Sequence, residues 1–126
     1  MKRKIAIVGY AQTHHEADPP ITREGMVFEA AKGALDKAGI TREAIDTVIN
    51  VSSDYQDGRT ISNLFLVMAE GAYMKDESKV EMDGAFGVLY AMMRILSGNH
   101  DTALVAGVTQ GSIFSPHQIS FYTLDP

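Results

Sequence analysis

Cysteine is absent from this sequence, which removes disulfide bonds, thiolate metal sites and a cysteine nucleophile together. Tryptophan is also missing, and proline occurs only four times. No apolar run approaches the roughly 20 residues that a membrane-spanning helix needs. Lys2, Arg3 and Lys4 precede the run from Ile5 to Val8, but that run is too short for the apolar core of a signal peptide. Lys and Arg are nowhere interleaved with aromatic residues, the pattern of a nucleic-acid surface. These absences imply a cytoplasmic protein that binds neither nucleic acid nor membrane.

The chain of 126 residues has room for one domain around a single core. Its 45% apolar and 21% charged residues are ordinary for a globular protein and exclude disorder, collagen and coiled coil. The net charge of −5 is unevenly placed: residues 1–40 carry six Lys/Arg against five Asp/Glu, and residues 41–126 carry five against eleven.

Lys4–Gly9 (KIAIVG) is a β-branched run closed by glycine and predicts a buried central strand. Pro19 and Pro20 make the segment from Ala11 to Ile21 a loop. His14 and His15 within it, adjacent and therefore pointing apart, admit a metal or catalytic role as well as that of a solvated or partner-contacting loop. From Thr22 or Arg23 to Ala38, Val27, Ala30, Ala31, Ala34, Leu35 and Ala38 recur at helical spacing, and Gly39 stops the helix. Thr41 caps a single turn through Ile45, and Thr47–Val51 predicts a second strand, parallel to the first.

The polar run from Ser52 to Arg59 leaves the C-terminal end of that strand, where open α/β sheets bind ligands. Asp54, Tyr55 and Asp57 there face either a substrate or solvent. A helix over Ile61–Ala72 is expected to bury Leu64, Phe65, Met68 and Ala72, with residues 75–78 as a charged connector.

Lys79–Met82 predicts a third strand that runs through Asp83 and Gly84 straight into a helix. Asp83 suits the cap, and Val88, Leu89, Met92, Ile95 and Leu96 supply an apolar face before Gly98 and Asn99 end the helix. Such a junction presents helix N–H groups and the positive end of the dipole to anything beside Gly84. Thr102–Thr109 predicts a fourth strand. The order βαβαβαβ gives an α/β fold with a mostly parallel sheet and helices on both faces. Its long open edges, and an end at Pro126 just after Phe121 and Tyr122, suit half of a larger architecture.

Taken together, KIAIVGYAQT, GMVFEAAKGALDKAGI with TREAIDTVI, VEMDGAFGVLYAMMRILSGNHDTALVAGVTQ and ISFYTLDP resemble the N-terminal part of a thiolase-superfamily protein. More narrowly, these stretches are similar to the branch grouped with sterol-carrier-protein thiolases and thiolase-like aldolases. The resemblance spans the whole chain and implies a single, incomplete domain: the N-terminal half of a five-layered αβαβα fold. Thiolases carry their nucleophilic cysteine in a motif like C-A-S-G at the start of the third helix. The matching positions here are Gly84, Ala85, Phe86 and Gly87, so no acyl-enzyme can form at Gly84 and this chain supplies no catalytic residue. The resemblance further implies substrate contacts at Gly84, Ala85, Phe86 and His117, with neither His100 nor His117 as a general base and no metal. Coenzyme A enters as part of the substrate, and no cofactor is covalently bound.

Two functions follow from the resemblance. The chain is a segment or subunit of an enzyme acting on acyl-CoA thioesters without cysteine chemistry, with retro-aldol cleavage of a β-hydroxyacyl-CoA as a candidate reaction. Alternatively it is an inactive subunit that scaffolds a partner or binds CoA. Expected partners are a second copy, paired through residues 79–83, or a thiolase-like or small OB-fold/zinc-ribbon protein.

Overall fold

The computed structural model describes residues 4–57, 61–81, 83–113, 115, 117, 118 and 121. Helix α1 (Arg23–Ala38) begins where Thr22 accepts a hydrogen bond from Gly25 N through its side chain, and ends at Gly39 in the left-handed conformation (φ 68°). Strand β1 (Thr47–Ser52) follows, then a four-residue turn of helix α2 (Asp54–Asp57) and the short α3 (Ser62–Leu66). Strand β2 (Asp76–Glu81) leads into α4 (Gly84–Leu96), and β3 (Ala103–Gly107) completes the sheet. The three strands are parallel in the order β2-β1-β3.

β1 is central and buried along its whole length, as its β-branched residues Val48, Ile49 and Val51 favour. Alternate residues face opposite layers. Val48 packs with Ala31, Ile45, Ala72 and Leu104 on the α1 side, and Ile49 and Val51 pack with Ala91 on the α4 side. α4 reaches the sheet through small residues: a Cβ on Gly87 would overlap Val51 Cγ2 and stand 3.1 Å from Val105 Cγ1.

The α/β class, the parallel sheet with helices on both faces, and the predicted α1, β1 and α4 are all present. Four local expectations are corrected. Lys4–Gly9 pairs with no strand among the described residues, and Ile7 and Val8 are 79% and 68% exposed. Its residues favour a strand, but a strand also needs an adjacent edge, and none is in reach. The segment rests on α1 instead, where a Cβ on Gly9 would lie 2.6 Å from Ala34 O and one on Gly33 2.9 Å from Ala11 Cβ.

β2 begins at Asp76, inside the expected connector, because Thr47, Val48 and Ile49 of β1 pair with Asp76, Glu77 and Ser78. The helix over residues 61–72 shortens to α3. Ile61, Gly71 and Met74 all take positive φ, so Leu66 and Ala72 are buried while Leu64, Phe65 and Met68 are exposed. On α4 the buried stripe is Gly87 and Ala91, while Val88, Leu89, Met92 and Leu96 remain at least a third exposed. Arg59, Met82 and all of the run ISFYTLDP except Phe121 lie outside the described residues.

Candidate functional site

At the C-terminal ends of β1 and β3 lies a cleft of ≈ 570 Å³. Gln12, Thr13, His14, His15 and Glu16 form one wall; Ser53, Gln56, Thr109, Gln110 and Ser112 form the other, and Gly84 at the start of α4 lies between them. Gln12 Nε2 lies 3.0 Å from His15 Nε2. Behind the cleft lining, Arg23 and Asp57 form a buried ion pair. The second oxygen of that carboxylate, Oδ1, accepts from Gln110 N at 2.9 Å and from Thr109 Oγ1 at 3.1 Å. Asp57 is therefore structural: it ties the loop after β3 to the start of α1. Asp54 pairs with Lys79 at 2.5 Å, and Tyr55 is exposed.

Gly84 does mark the strand-to-helix junction. The N–H groups behind it are mostly occupied: Asp83 Oδ1 accepts from Ala85 N at 2.7 Å, and Asp83 O accepts from Phe86 N at 3.1 Å and Gly87 N at 3.3 Å. The Asp83 carboxylate also answers the positive end of the dipole, so this helix start carries less pull on an anion than the sequence suggested. A Cβ built on Gly84 meets no atom within 4 Å, so the position opens onto free space. Ala85 and Phe86 are exposed beside it, whereas His117 is exposed and lines neither this cleft nor the neighbouring groove.

The cleft continues into an apolar groove of ≈ 660 Å³ and shares Ala11, Gln12, Ala30, Val51, Gly84 and Gly107 with it. No family model matches the sequence, and no curated protein matches it. Among solved structures the chain is similar to the crystal structure of 3-oxoacyl-[acyl-carrier-protein] synthase III from Aquifex aeolicus, at TM-score 0.59 and 22% identity. The fold is thiolase-like. The match covers 75% of this chain and 32% of the synthase, so the chain spans about a third of that protein's length. No group of three or more His, Asp or Glu that could hold a metal occurs among the described residues of this thiolase-like unit, and no described helix is long and apolar enough to cross a membrane.

Sequence reasoning missed a buried polar chain under α3. Glu70 is 1% exposed; its Oε2 accepts from Asn50 Nδ2 at 2.8 Å, and Asn50 Oδ1 accepts from Ser52 Oγ at 3.2 Å. Glu70 Oε1 is buried without a hydrogen-bond partner among the described residues. Burial, opposed by the Asn50 hydrogen bond and reinforced by the nearby Glu77 carboxylate, pushes the Glu70 carboxyl up to about 7. A polar residue within the apolar alternation of β1, Asn50 between Ile49 and Val51, was the available signal.

Proposed function

We propose that this chain forms one side of an acyl-CoA thioester site in a thiolase-like assembly that works without a cysteine nucleophile. The observation that carries the reading is the open space above Gly84, the residue that the sequence resemblance matches to the thiolase cysteine, on the floor of a polar cleft. With glycine there, a thioester carbonyl can lie over the junction beside Ala85 and Phe86, with the imidazoles of His14 and His15 opposite. Retro-aldol cleavage is compatible with glycine at this position, because it needs no covalent intermediate; its oxyanion donor, like its base, is supplied from outside this helix start. His117 lies outside the cleft lining and contributes nothing to this placement of the thioester. The base comes from a partner.

Exposed apolar faces support an assembly. Phe86, Leu89, Met93 and Leu96 form one outer stripe of α4, and Leu64, Phe65, Met68 and Met74 are also exposed. The outer edge of β2, residues 79–81, is the proposed site of pairing with a second copy or a thiolase-like partner. A non-catalytic scaffold that only holds CoA is the second reading, favoured by the glycine at position 84. Titration of the chain with acetyl-CoA, followed by calorimetry, tests the site. Gly84→Leu, which fills the open space, is expected to weaken binding by about tenfold while leaving free CoA unaffected. Equal affinity of the two proteins for acetyl-CoA would refute the placement of the thioester at Gly84.

A further inference from the structure

The buried carboxyl of Glu70 interacts with a second carboxyl, that of Glu77. Val48 of β1 pairs with Glu77 of β2 and Asn50 with Lys79, so these four side chains share one face of the sheet. Glu70 reaches that face from the turns after α3, with Oε2 on Asn50 and Oε1 lacking a hydrogen-bond partner among the described residues. Glu77 Oε1 accepts from Asn63 Nδ2 of α3 at 3.2 Å. Among the described residues no cation pairs with either carboxyl. Lys79 is held by Asp54 at 2.5 Å and Glu81 at 2.7 Å, Lys75 donates to Ile45 O, and Arg42, whose side chain lies against Gly71, pairs with Glu43. From β1 come the uncharged Asn50 and Ser52, and from α1 the apolar Val27 and Ala31.

Two neighbouring carboxylates with no cation between them repel, and one proton relieves both. Placed on Glu70 Oε1, it turns an unpartnered acceptor into a donor and gives Glu77 a second hydrogen bond. Burial first, then Glu77 through its charge and a hydrogen bond, hold that proton against the opposing pull of Asn50. We propose that Glu70 and Glu77 share one proton, and that this proton is a pH-operated catch which seats residues 62–72 on β1 and β2 and loosens as it is lost. The segment has little else to hold it. Its helix is five residues long, Leu66 and Ala72 are its buried apolar anchors, and Leu64, Phe65 and Met68 face outward. Ile61 and Met74, on either side of it, take positive φ, which such side chains adopt only under constraint. Once the segment opens, Glu70 meets water and returns to the ordinary carboxyl value of 4.5, against about 7 when seated. The seated state therefore binds the proton more tightly, and opening becomes easier as pH rises between these values and levels off above them.

Residue-resolved amide exchange on the whole chain at pH 5, 6, 7 and 8, corrected for the intrinsic pH dependence of exchange, tests the catch. The amides of Val67, Glu70 and Ala72, which donate to Asn63 O, Leu66 O and Val67 O, report opening of the segment. Their opening constant rises about tenfold per pH unit from pH 5 to 7, holds steady to pH 8, and stays above that of Ile49–Val51 throughout. Glu70→Gln keeps an oxygen for Asn50 and flattens the profile. Carboxyl carbon resonances read the sharing separately: those of Glu70 and Glu77 both respond to one step near pH 7. Glu77→Gln, which removes the neighbouring charge, lowers the proton affinity of Glu70 by about threefold or more. The proposal is overturned if residues 67–72 exchange no faster than β1, if their opening ignores pH, or if the dependence survives in Glu70→Gln. Independent titration of the two carboxyls, or a Glu70 midpoint unmoved by Glu77→Gln, refutes the shared proton. A midpoint that moves with added calcium at constant ionic strength assigns a cation to the pair and also overturns it.

Discussion

Replacing Glu70 by glutamine should raise stability at alkaline pH and leave it nearly unchanged in acid. Glu70 carries its proton up to about pH 7 in the folded chain, against an ordinary carboxyl value of 4.5. The native state therefore binds more protons than the unfolded state between these values, and stability falls as pH rises through that window. Each factor of ten in proton affinity corresponds to about 1.4 kcal/mol, so the fall attributable to this one group is about 3 kcal/mol, complete above pH 7 and absent below pH 4.5. Glutamine keeps an oxygen for Asn50 Nδ2 and cannot ionise. Glu43 and Asp76, whose carboxyls are held below their ordinary values, act in the opposite direction and in acid, and they cancel in the difference between the two proteins. Urea denaturation of parent and Glu70→Gln at pH 5, 6, 7 and 8 reads the difference directly. A difference that does not grow with pH, or a variant less stable than the parent at pH 8, would show that the buried carboxyl is not the strained group.

Two glycines in α4 separate by substitution. Gly87→Ala forces a Cβ into Val51 and should cost about 2 kcal/mol or more, whereas Gly84→Ala enters open space and should be neutral or slightly stabilising by chemical denaturation. Equal effects at the two positions would contradict the close helix-to-sheet approach at Gly87. Asp57→Ala strands Arg23 in a buried site and should cost about 3 to 5 kcal/mol, while Arg23→Leu with Asp57→Leu together should recover much of it. A double variant no better than the single one, measured by urea midpoint, would mean that Asp57 matters for the loop after β3 more than for Arg23.

The sequence made legible whatever local periodicity and caps decide. Thr22, Gly39 and Asp83 bound their helices where expected, and the β-branched core of β1 is buried as read. Pairing was less legible, because it depends on residues far away in the chain. KIAIVG has the composition of a central strand and pairs with no strand among the described residues, while the polar run beginning at Asp76 is recruited into β2 by the register against Thr47. Helix faces were misread where small residues do the packing: Gly87 and Ala91 meet the sheet, Val88, Met92 and Ile95 line the apolar groove, and Leu89 and Leu96 face outward. Gly84 lines the cleft together with His14 and His15, which the sequence offered without a position for them. The Arg23–Asp57 tie spans 34 residues and left no local pattern to read.

The seating of the N-terminal segment on α1 divides the cleft between two bodies. One wall, residues 12–16, continues directly from the segment that Gly9 and Gly33 lock against α1. The opposite wall, with the Gly84 floor, belongs to the sheet and α4. A small slide of α1 over the Val48 face of the sheet would thus change the width of the cleft without unfolding either body, a shear rather than a hinge. Arg23, at the very start of α1, holds Asp57, and Asp57 holds Thr109 and Gln110 on the far wall. With the hydrogen bond that Ser112 Oγ donates to Ala17 O at 2.9 Å, that buried carboxylate ties the two walls to each other.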